Sequence, residues 1–389
     1  MPHPQPLGAN AGRSRQHNRQ VVLGHVRSAG AVGRAEIARA SGLSTQAVSN
    51  IIAELEGEGL LCARGKRIAG RGLPVVQYAV NPRGGAALGI EVRPDAVLAT
   101  VVDLDGATLF TTRRAVASAD PQTVLGMMPD LRDEVLENAK LPRAKILGAG
   151  VVMPGPFGMP GFSEGASDLP GWQDSDAPAL FGVALDLPVT VENDANAAAV
   201  AERVSGVARG LDSYAYLYFG SGLGLGVVTG GQLMRGAHGN AGEVGHIPVP
   251  SASGPVPLES RVSRLAARRH LAAAGITAES MADFARHFDA GLPALLDWLD
   301  QTAAPLSLAV QTIENLFDPQ AVVLGGALPP ALLTRMIDGV ELATASVSAR
   351  PDRHGPRLLC GATGPMTAAV GAAALIINQT FTPQIAAPH

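Results

Sequence analysis

Cysteine is nearly missing from this sequence: Cys62 and Cys360 are the only two. Two thiols so far apart exclude a cysteine-rich zinc cluster and fit a reducing, cytoplasmic setting. Long apolar runs are missing too, so no segment is expected to cross a bilayer. The amino-terminal stretch MPHPQPLGANAGRSRQHNRQ lacks the apolar core of a signal peptide, and residues 1–16 read as a mobile tail. Charged residues are sparse, at 16 % against 47 % hydrophobic, which excludes a disordered chain. What remains is a globular protein of 389 residues, enough for two or three domains.

The charge is unevenly spread. Residues 1–73 hold ten Arg and Lys against four Glu, a net of +6, which leaves −10 on the rest of a chain whose total is −4. A basic head on an acidic body suggests that the head meets a polyanion. Three helical patterns fill His17 to Glu58. The first offers Val22, Leu23 and Val26 to a core, and the second, RAEIARASG, turns Ile37 inward and ends at Gly42. In the third, STQAVSNIIAELEGEG, Val48, Ile51, Ile52 and Leu55 share one face and Ser44 stands at the N-cap position. Ser44, Thr45, Gln46, Ser49 and Asn50 are left at its start or on its outer face, where hydroxyl and amide groups can reach base edges in a major groove. The following LLCARGKRIAGRGLPVVQYAV reads as strand, basic turn and strand, a wing. Lys66, Arg67 and Arg71 can contact phosphates or probe a minor groove, and Arg34 at the start of the second helix is a further candidate DNA contact.

From Ala87 the pattern becomes strands alternating with helices, and it occurs twice. ALGIEV, AVLATVVDLDG and TLFTTRRAV precede a helix near Pro121–Ala139 and the strand KILGAGVVM. SYAYLYFG, GLGVVTGG and QLMRG precede further helices and the strand AVVLGG. A duplicated α/β body with a cleft between lobes is expected. Asn193 and Asp194 in TVENDANAAAVAE mark the junction of a strand and an alanine-rich helix. There they are either ligand groups or an ordinary cap. Gly220, Gly222, Gly224 and Gly226 alternate between two strands, as in a phosphate-approaching turn or a plain hairpin. GNAGEVGH adds Glu243 and His246.

In this order the motifs resemble the ROK family of repressors, open reading frames and sugar kinases, over nearly the whole chain. GAGVVMPGPF, SDLPGWQ and VVLGGAL belong to the same likeness. The resemblance implies an α/β protein with an N-terminal winged helix-turn-helix and a two-lobed actin/hexokinase-like body. The head followed by GRGLPVVQYAVNP looks like the repressor branch, with its xylose- and N-acetylglucosamine-responsive members. The boundaries expected on this basis are 17–82 for the head, 83–197 with the C-terminal helix 365–380 for one lobe, and 198–364 for the other. The resemblance assigns sugar hydroxyls to Asn193, Asp194, Glu243 and His246, and Glu259 in PLES is the match to a further family glutamate. In the family's kinases the position of Asp194 is the general base.

Two departures shape the expected function. Where ROK kinases carry an Asp-x-Gly-Gly-Thr-like phosphate loop, this chain has GIEVRPDAVLATVVD, with Glu91 for Asp and Arg93-Pro94 in the glycine region. Proline and a long side chain suit a phosphate-admitting turn poorly. Sugar binding without phosphoryl transfer is therefore expected, so Asp194 does not turn over. The family's zinc-binding C-x-C-G-x-x-G-C run is replaced by PVPSASGPVP, and one histidine without thiolates makes a poor structural zinc site, so no metal and no cofactor are expected. The resulting expectation is a sugar-responsive repressor that binds a double-stranded operator as a homodimer or tetramer, without membrane contact. The alternatives are an ATP-dependent sugar kinase with a DNA-binding head, and a DNA-binding protein whose body answers to a protein partner.

Overall fold

The computed structural model describes residues 11–67, 74–153, 169, 171–172, 175–220 and 222–381. Most of MPGPF and of SDLPGWQ lies outside these residues, and so does Arg71.

The head is three helices and a wing. Helix α1 (Ala11–Ala29) is followed by β1 (Val32–Gly33), α2 (Arg34–Ser41), α3 (Thr45–Gly57), β2 (Leu61–Arg67) and β3 (Val75–Val80). The first helix corrects the expected tail, because it is already helical at Ala11. Residues 11–16, AGRSRQ, carry no apolar periodicity beyond Ala11, so the hydrophobic pattern starts late. Arg15 and Arg19 tie this helix to α3, through Glu54 at 2.6 and 3.2 Å and Glu58 at 2.5 Å. Helix α2 stops where Gly42 adopts φ +71°, which a glycine takes without steric cost. Ser44 caps α3 by accepting from the Ala47 amide at 3.2 Å, and Val48, Ile51, Ile52 and Leu55 are buried against α1 and α2. Strands β2 and β3 are antiparallel, with a bulge between Ala63 and Lys66 where Gly65 has φ +92°.

The body holds two sheets of the same design. The first takes β4 (Ala86–Arg93), β5 (Ala96–Asp103), β6 (Thr108–Ala115), β7 (Ile146–Val152) and β8 (Val189–Glu192) in the order β6-β5-β4-β7-β8. Helices α4 (Pro121–Ala139) and α5 (Ala177–Leu185) cover its outer face. After α6 (Asp194–Ser205), the second sheet repeats the plan. It takes β9 (Tyr214–Phe219), β10 (Leu223–Thr229), β11 (Gln232–Leu233), β14 (Ala321–Gly326) and β15 (Leu358–Thr363) in the order β11-β10-β9-β14-β15. Between β11 and β14 come the small hairpin β12 (Pro248–Val249) and β13 (Val256–Pro257), then α7 (Arg264–Ala273), α8 (Met281–Asp289) and α9 (Pro293–Phe317). Helix α10 (Pro330–Gly339) follows β14, and α11 (Thr367–Phe381) closes the chain. In both sheets three antiparallel strands lead into parallel ones, as a duplicated actin/hexokinase-like body requires.

Two alanine-rich helices fill the space between the sheets. Helix α11 lies on β4, β5 and β7, α6 lies on β9 and β10, and the two helices pack on each other. Glycines make this close approach possible. A methyl group at Gly89 or Gly150 would strike the carbonyl of Ala369 or Ala372, and one at Gly226 would come within 2.5 Å of the Ala195 carbonyl. Bulkier strands would push the helices, and with them the lobes, apart. The same α11 receives the head: Gln20 donates to the Gln379 carbonyl at 2.9 Å, and the Arg27 guanidinium lies 4.7 Å over the Phe381 ring.

Candidate functional site

The cleft site begins at the first turn of α6. Asn193 is its N-cap and accepts from the Asn196 amide at 2.9 Å. Asp194 follows, half-buried, accepting from the Ala195 amide at 2.9 Å. Burial, with the Glu91 and Glu243 charges adding, pushes the Asp194 carboxyl up to about 7. Gly220 sits against it, since a Cβ there would lie 3.2 Å from Asp194 Oδ2 and 2.9 Å from the Tyr218 ring. The glycine run thus proves to be a hairpin between β9 and β10. Gly224 and Gly226 serve the packing of α6, while Gly220 and Gly222 bring backbone to the carboxylates.

The second part comes from GEVGH and the hairpin after it. Gly242 turns the chain at φ +96°, and its carbonyl accepts from the Leu225 amide at 3.0 Å. That fixes Glu243 and His246 beside β10, with His246 Nε2 3.7 Å from Glu243 Oε2. The proline-rich stretch forms two rungs, Pro248 opposite Pro257 and Val249 opposite Val256, and the Leu258 amide donates to the Ile247 carbonyl at 2.9 Å. The hairpin carries Glu259 back to the site. Its carboxylate accepts from the Leu223 amide at 3.4 Å, and a Cβ at Gly245 would lie 3.0 Å from it. Burial pushes the Glu243 carboxyl up, against the pull of His246 and with the push of Glu259. Prolines and a short ladder hold the two ends of this loop together. Among the described residues no three His, Cys, Asp or Glu side chains cluster as a metal cage requires.

Several residues at the cleft have no motif to announce them. Glu192, buried at the end of β8, accepts from the Asn193 amide at 3.1 Å and from Asn196 Nδ2 at 2.9 Å. Arg235, from beyond β11, reaches Glu192 at 2.7 Å and so ties one lobe to the other. Glu91 and Arg93 form a fork, with Nε–Oε1 at 2.6 Å and Nη2–Oε2 at 2.9 Å, and Arg93 also donates to the Pro365 carbonyl at 2.7 Å. Strands β4 and β5 pair as far as Arg93 opposite Ala96, so Pro94 and Asp95 make a two-residue turn. That turn is a closed hairpin rather than an open glycine loop.

On the head, Thr45, Gln46 and Asn50 are exposed along α3, and Ser49 is half-buried. Gln46 Nε2 donates to Asn50 Oδ1 at 3.0 Å, which aligns the two amides on one face. The Ser44 oxygen is engaged as the cap. Lys66 and Arg67 are exposed on the wing. Arg34 is already engaged, because its guanidinium lies 5.0 Å over the Tyr78 ring and donates to the Tyr78 hydroxyl, pinning α2 to β3. Arg15, Arg19 and Arg27 are likewise engaged by partners within the chain, Arg15 at the surface, so much of the head's basic surplus is structural.

The raised Asp194 carboxyl has a consequence for stability. The folded protein keeps a proton that the unfolded chain loses near pH 4. Stability from this group is therefore complete below about pH 4 and is lost as pH rises through about 7. Asp194→Asn, which cannot ionise, should resist urea better than the parent at pH 8, by roughly 2–4 kcal/mol. The difference should shrink toward pH 4 in urea titrations, and a pH-independent difference would refute it.

The fold and cleft define a winged-helix head on an actin/hexokinase-like α/β body. The sequence pattern of the ROK family matches residues 87–379, and the chain belongs to that family. The xylose repressor of Bacillus spizizenii is 24 % identical over 322 residues, covering 80 % of this chain and 82 % of its own. A glucokinase of Halalkalibacterium halodurans is 27 % identical over 280 residues, covering 62 % of this chain and 80 % of its own. The crystal structure of a ROK family transcriptional regulator, a homologue of the E. coli MLC protein, superposes with a TM-score of 0.71 at 23 % identity, covering 95 % of this chain and 97 % of that one. Repressors and kinases thus share this body. No helix among the described residues is long and apolar enough to cross a membrane.

Proposed function

We propose that this protein is a sugar-responsive transcriptional repressor of the cytoplasm that binds DNA and transfers no phosphate. The observation that carries the reading is the closed β4–β5 hairpin, with Arg93 folded onto Glu91, where the family's kinases have their phosphate loop. Without a cradle for phosphates, Asp194 can meet a sugar hydroxyl but faces no positioned electrophile. Thr45, Gln46, Ser49 and Asn50 read base edges, with Ser44 capping their helix. Lys66, Arg67 and Arg71 take phosphates, while Arg34 is engaged by Tyr78. Asn193, Asp194, Glu243, His246 and Glu259 hold the sugar, and the loop needs no zinc. A homodimer or tetramer pairs the heads over two half-sites.

Helix α6 supplies the coupling. Its first turn carries the sugar groups, and the Val204 carbonyl in its last turn accepts from Arg27 of the head at 3.3 Å. A sugar that favours one lobe arrangement therefore acts on the helix the head rests on. Arg27→Met keeps an apolar stem over Phe381 but removes the donor. Operator affinity without sugar should stay within about threefold, while the sugar's effect on that affinity should fall at least severalfold, as read by fluorescence anisotropy. An undiminished sugar effect would refute the coupling.

The alternative, a sugar kinase with a DNA-binding head, draws support from the Asp194 carboxyl at about 7, a suitable range for a general base. ADP release over a panel of hexoses, pentoses and amino sugars separates the two readings. The repressor reading predicts release no faster than with Asp194→Asn. Robust turnover abolished by that substitution establishes the kinase instead.

A further inference from the structure

We infer that Glu192 and Arg235 are positioning residues of the cleft: their ion pair braces the joint between the two lobes and so controls how the sugar-binding turn of α6 is presented. This rests on the reading of the cleft as a sugar site and adds to it a control from outside the five groups assigned to the sugar.

The chain changes sheets at Glu192. Strand β8 pairs with β7 of the first sheet as far as Glu192 opposite Val152. The next residue, Asn193, is the N-cap of α6, which lies on β9 and β10 of the second sheet. Such an element end is where a small backbone rotation moves one lobe against the other.

Glu192 is buried at this joint and both of its oxygens are used. Oε1 accepts from the Asn193 amide at 3.1 Å and from Asn196 Nδ2 at 2.9 Å, which ties it to the first turn of α6. Asn196 keeps that contact although its own Oδ1 is buried without a partner among the described residues, a cost that a freely placed amide would avoid. Oε2 accepts from Arg235 Nε at 2.7 Å. Arg235 follows β11, the edge strand of the second sheet, and its carbonyl accepts from the Ala241 amide at 3.1 Å in the loop that leads to Glu243. One carboxylate thus joins three pieces: the end of β8, the turn that carries Asn193 and Asp194, and the loop that leads to Glu243 and His246.

The Arg235 side chain is half-exposed, so the link can open into water without unpacking either core. An open link leaves the α6 turn and the Glu243 loop unbraced against each other. A smaller fraction of molecules then holds all five sugar groups within reach of one ligand, and the apparent affinity falls in proportion.

Calorimetric titration and amide exchange on the full-length protein test this, with xylose, glucose and N-acetylglucosamine as probes. The double variant Glu192→Gln/Arg235→Met removes the ion pair without stranding a charge, and the glutamine oxygen can still accept from Asn193 and Asn196. It should bind whichever probe the parent binds roughly tenfold or more weakly. Arg235→Lys keeps the cation and should stay within about threefold of the parent. Without sugar, the double variant should exchange amides faster at residues 193–197 and 235–246, with the amides of α9 unchanged. Parent-like affinity in the double variant would overturn the inference and leave the sugar site standing. A loss that Arg235→Lys shares in full, or exchange raised evenly along the chain, would mean a merely stabilising pair and would also overturn it. Binding of no probe by the parent would remove the sugar site and the inference together.

Discussion

Replacing Gln46 and Asn50 together by alanine is expected to weaken operator binding by roughly 30- to 10⁴-fold. Each well-placed amide-to-base contact is worth about 1–3 kcal/mol of discrimination, and both amides stand exposed on one face of α3. The helix itself should persist, because alanine is a better helix former than either residue and the buried face of Val48, Ile51, Ile52 and Leu55 is untouched. An unchanged far-ultraviolet circular dichroism spectrum would confirm this. The loss should be concentrated in specific binding, with affinity for unrelated DNA nearly preserved. Lys66→Ala should act the other way, weakening binding to all sequences alike and lowering the salt slope by about one. If the double alanine variant still bound the operator like the parent, α3 would not be the reading helix.

The second large effect concerns the packing that holds the lobes. Gly150→Ala should cost at least about 3 kcal/mol, because the new methyl group would strike the carbonyl of Ala372 in α11 and only a backbone shift could relieve it. Gly126→Ala provides the control. Gly126 is exposed in the middle of α4 with open space around its Cα, and alanine there should stabilise by about 1 kcal/mol. The same chemical change should thus have opposite signs at two sites, read as shifts in the urea midpoint. Since α11 also carries the head through Gln379 and Phe381, Gly150→Ala should loosen the docking of α1, seen as faster amide exchange along that helix. Equal effects at both sites would mean that the sheet and α11 are not in close contact.

Much of this molecule is legible in its sequence, and the rest is hidden for definite reasons. The spacing of Val48, Ile51, Ile52 and Leu55, with Ser44 ahead of them, describes α3 because periodicity and capping are local signals. The start of α1 escapes the same method, since its first turns are exposed and are held by ion pairs to residues nearly forty positions away. The doubled strand pattern reveals two sheets, but their separation by α6 and α11 depends on glycines meeting alanines far along the chain. In the cleft, the motif residues Asn193, Asp194, Glu243, His246 and Glu259 stand along one contiguous surface from α6 across β10 to the hairpin. Glu192 and Arg235 were hidden because they meet only after the lobes assemble. The Glu91–Arg93 fork was readable in principle, because alternate residues of a strand share a face. Arg34 looks like a DNA contact in the sequence, and only the position of Tyr78 on a neighbouring strand shows that its guanidinium is engaged.

The proline-rich hairpin between Glu243 and Glu259 makes the same point. Its composition announces a loop without metal ligands, and the pairing of Pro248 with Pro257 and of Val249 with Val256, with the Leu258 amide donating to the Ile247 carbonyl, brings its two ends together. Backbone pairing therefore brings Glu259 back beside Glu243 and His246.

The most direct test of the whole account is the affinity of the protein for DNA from the region upstream of its own gene, measured by fluorescence anisotropy with and without a panel of neutral and acidic sugars. Binding in low salt that weakens steeply as salt is added, and that one sugar shifts by roughly 5- to 150-fold, is the predicted result. Failure to bind that DNA in low salt, or an affinity unmoved by every sugar, would contradict it.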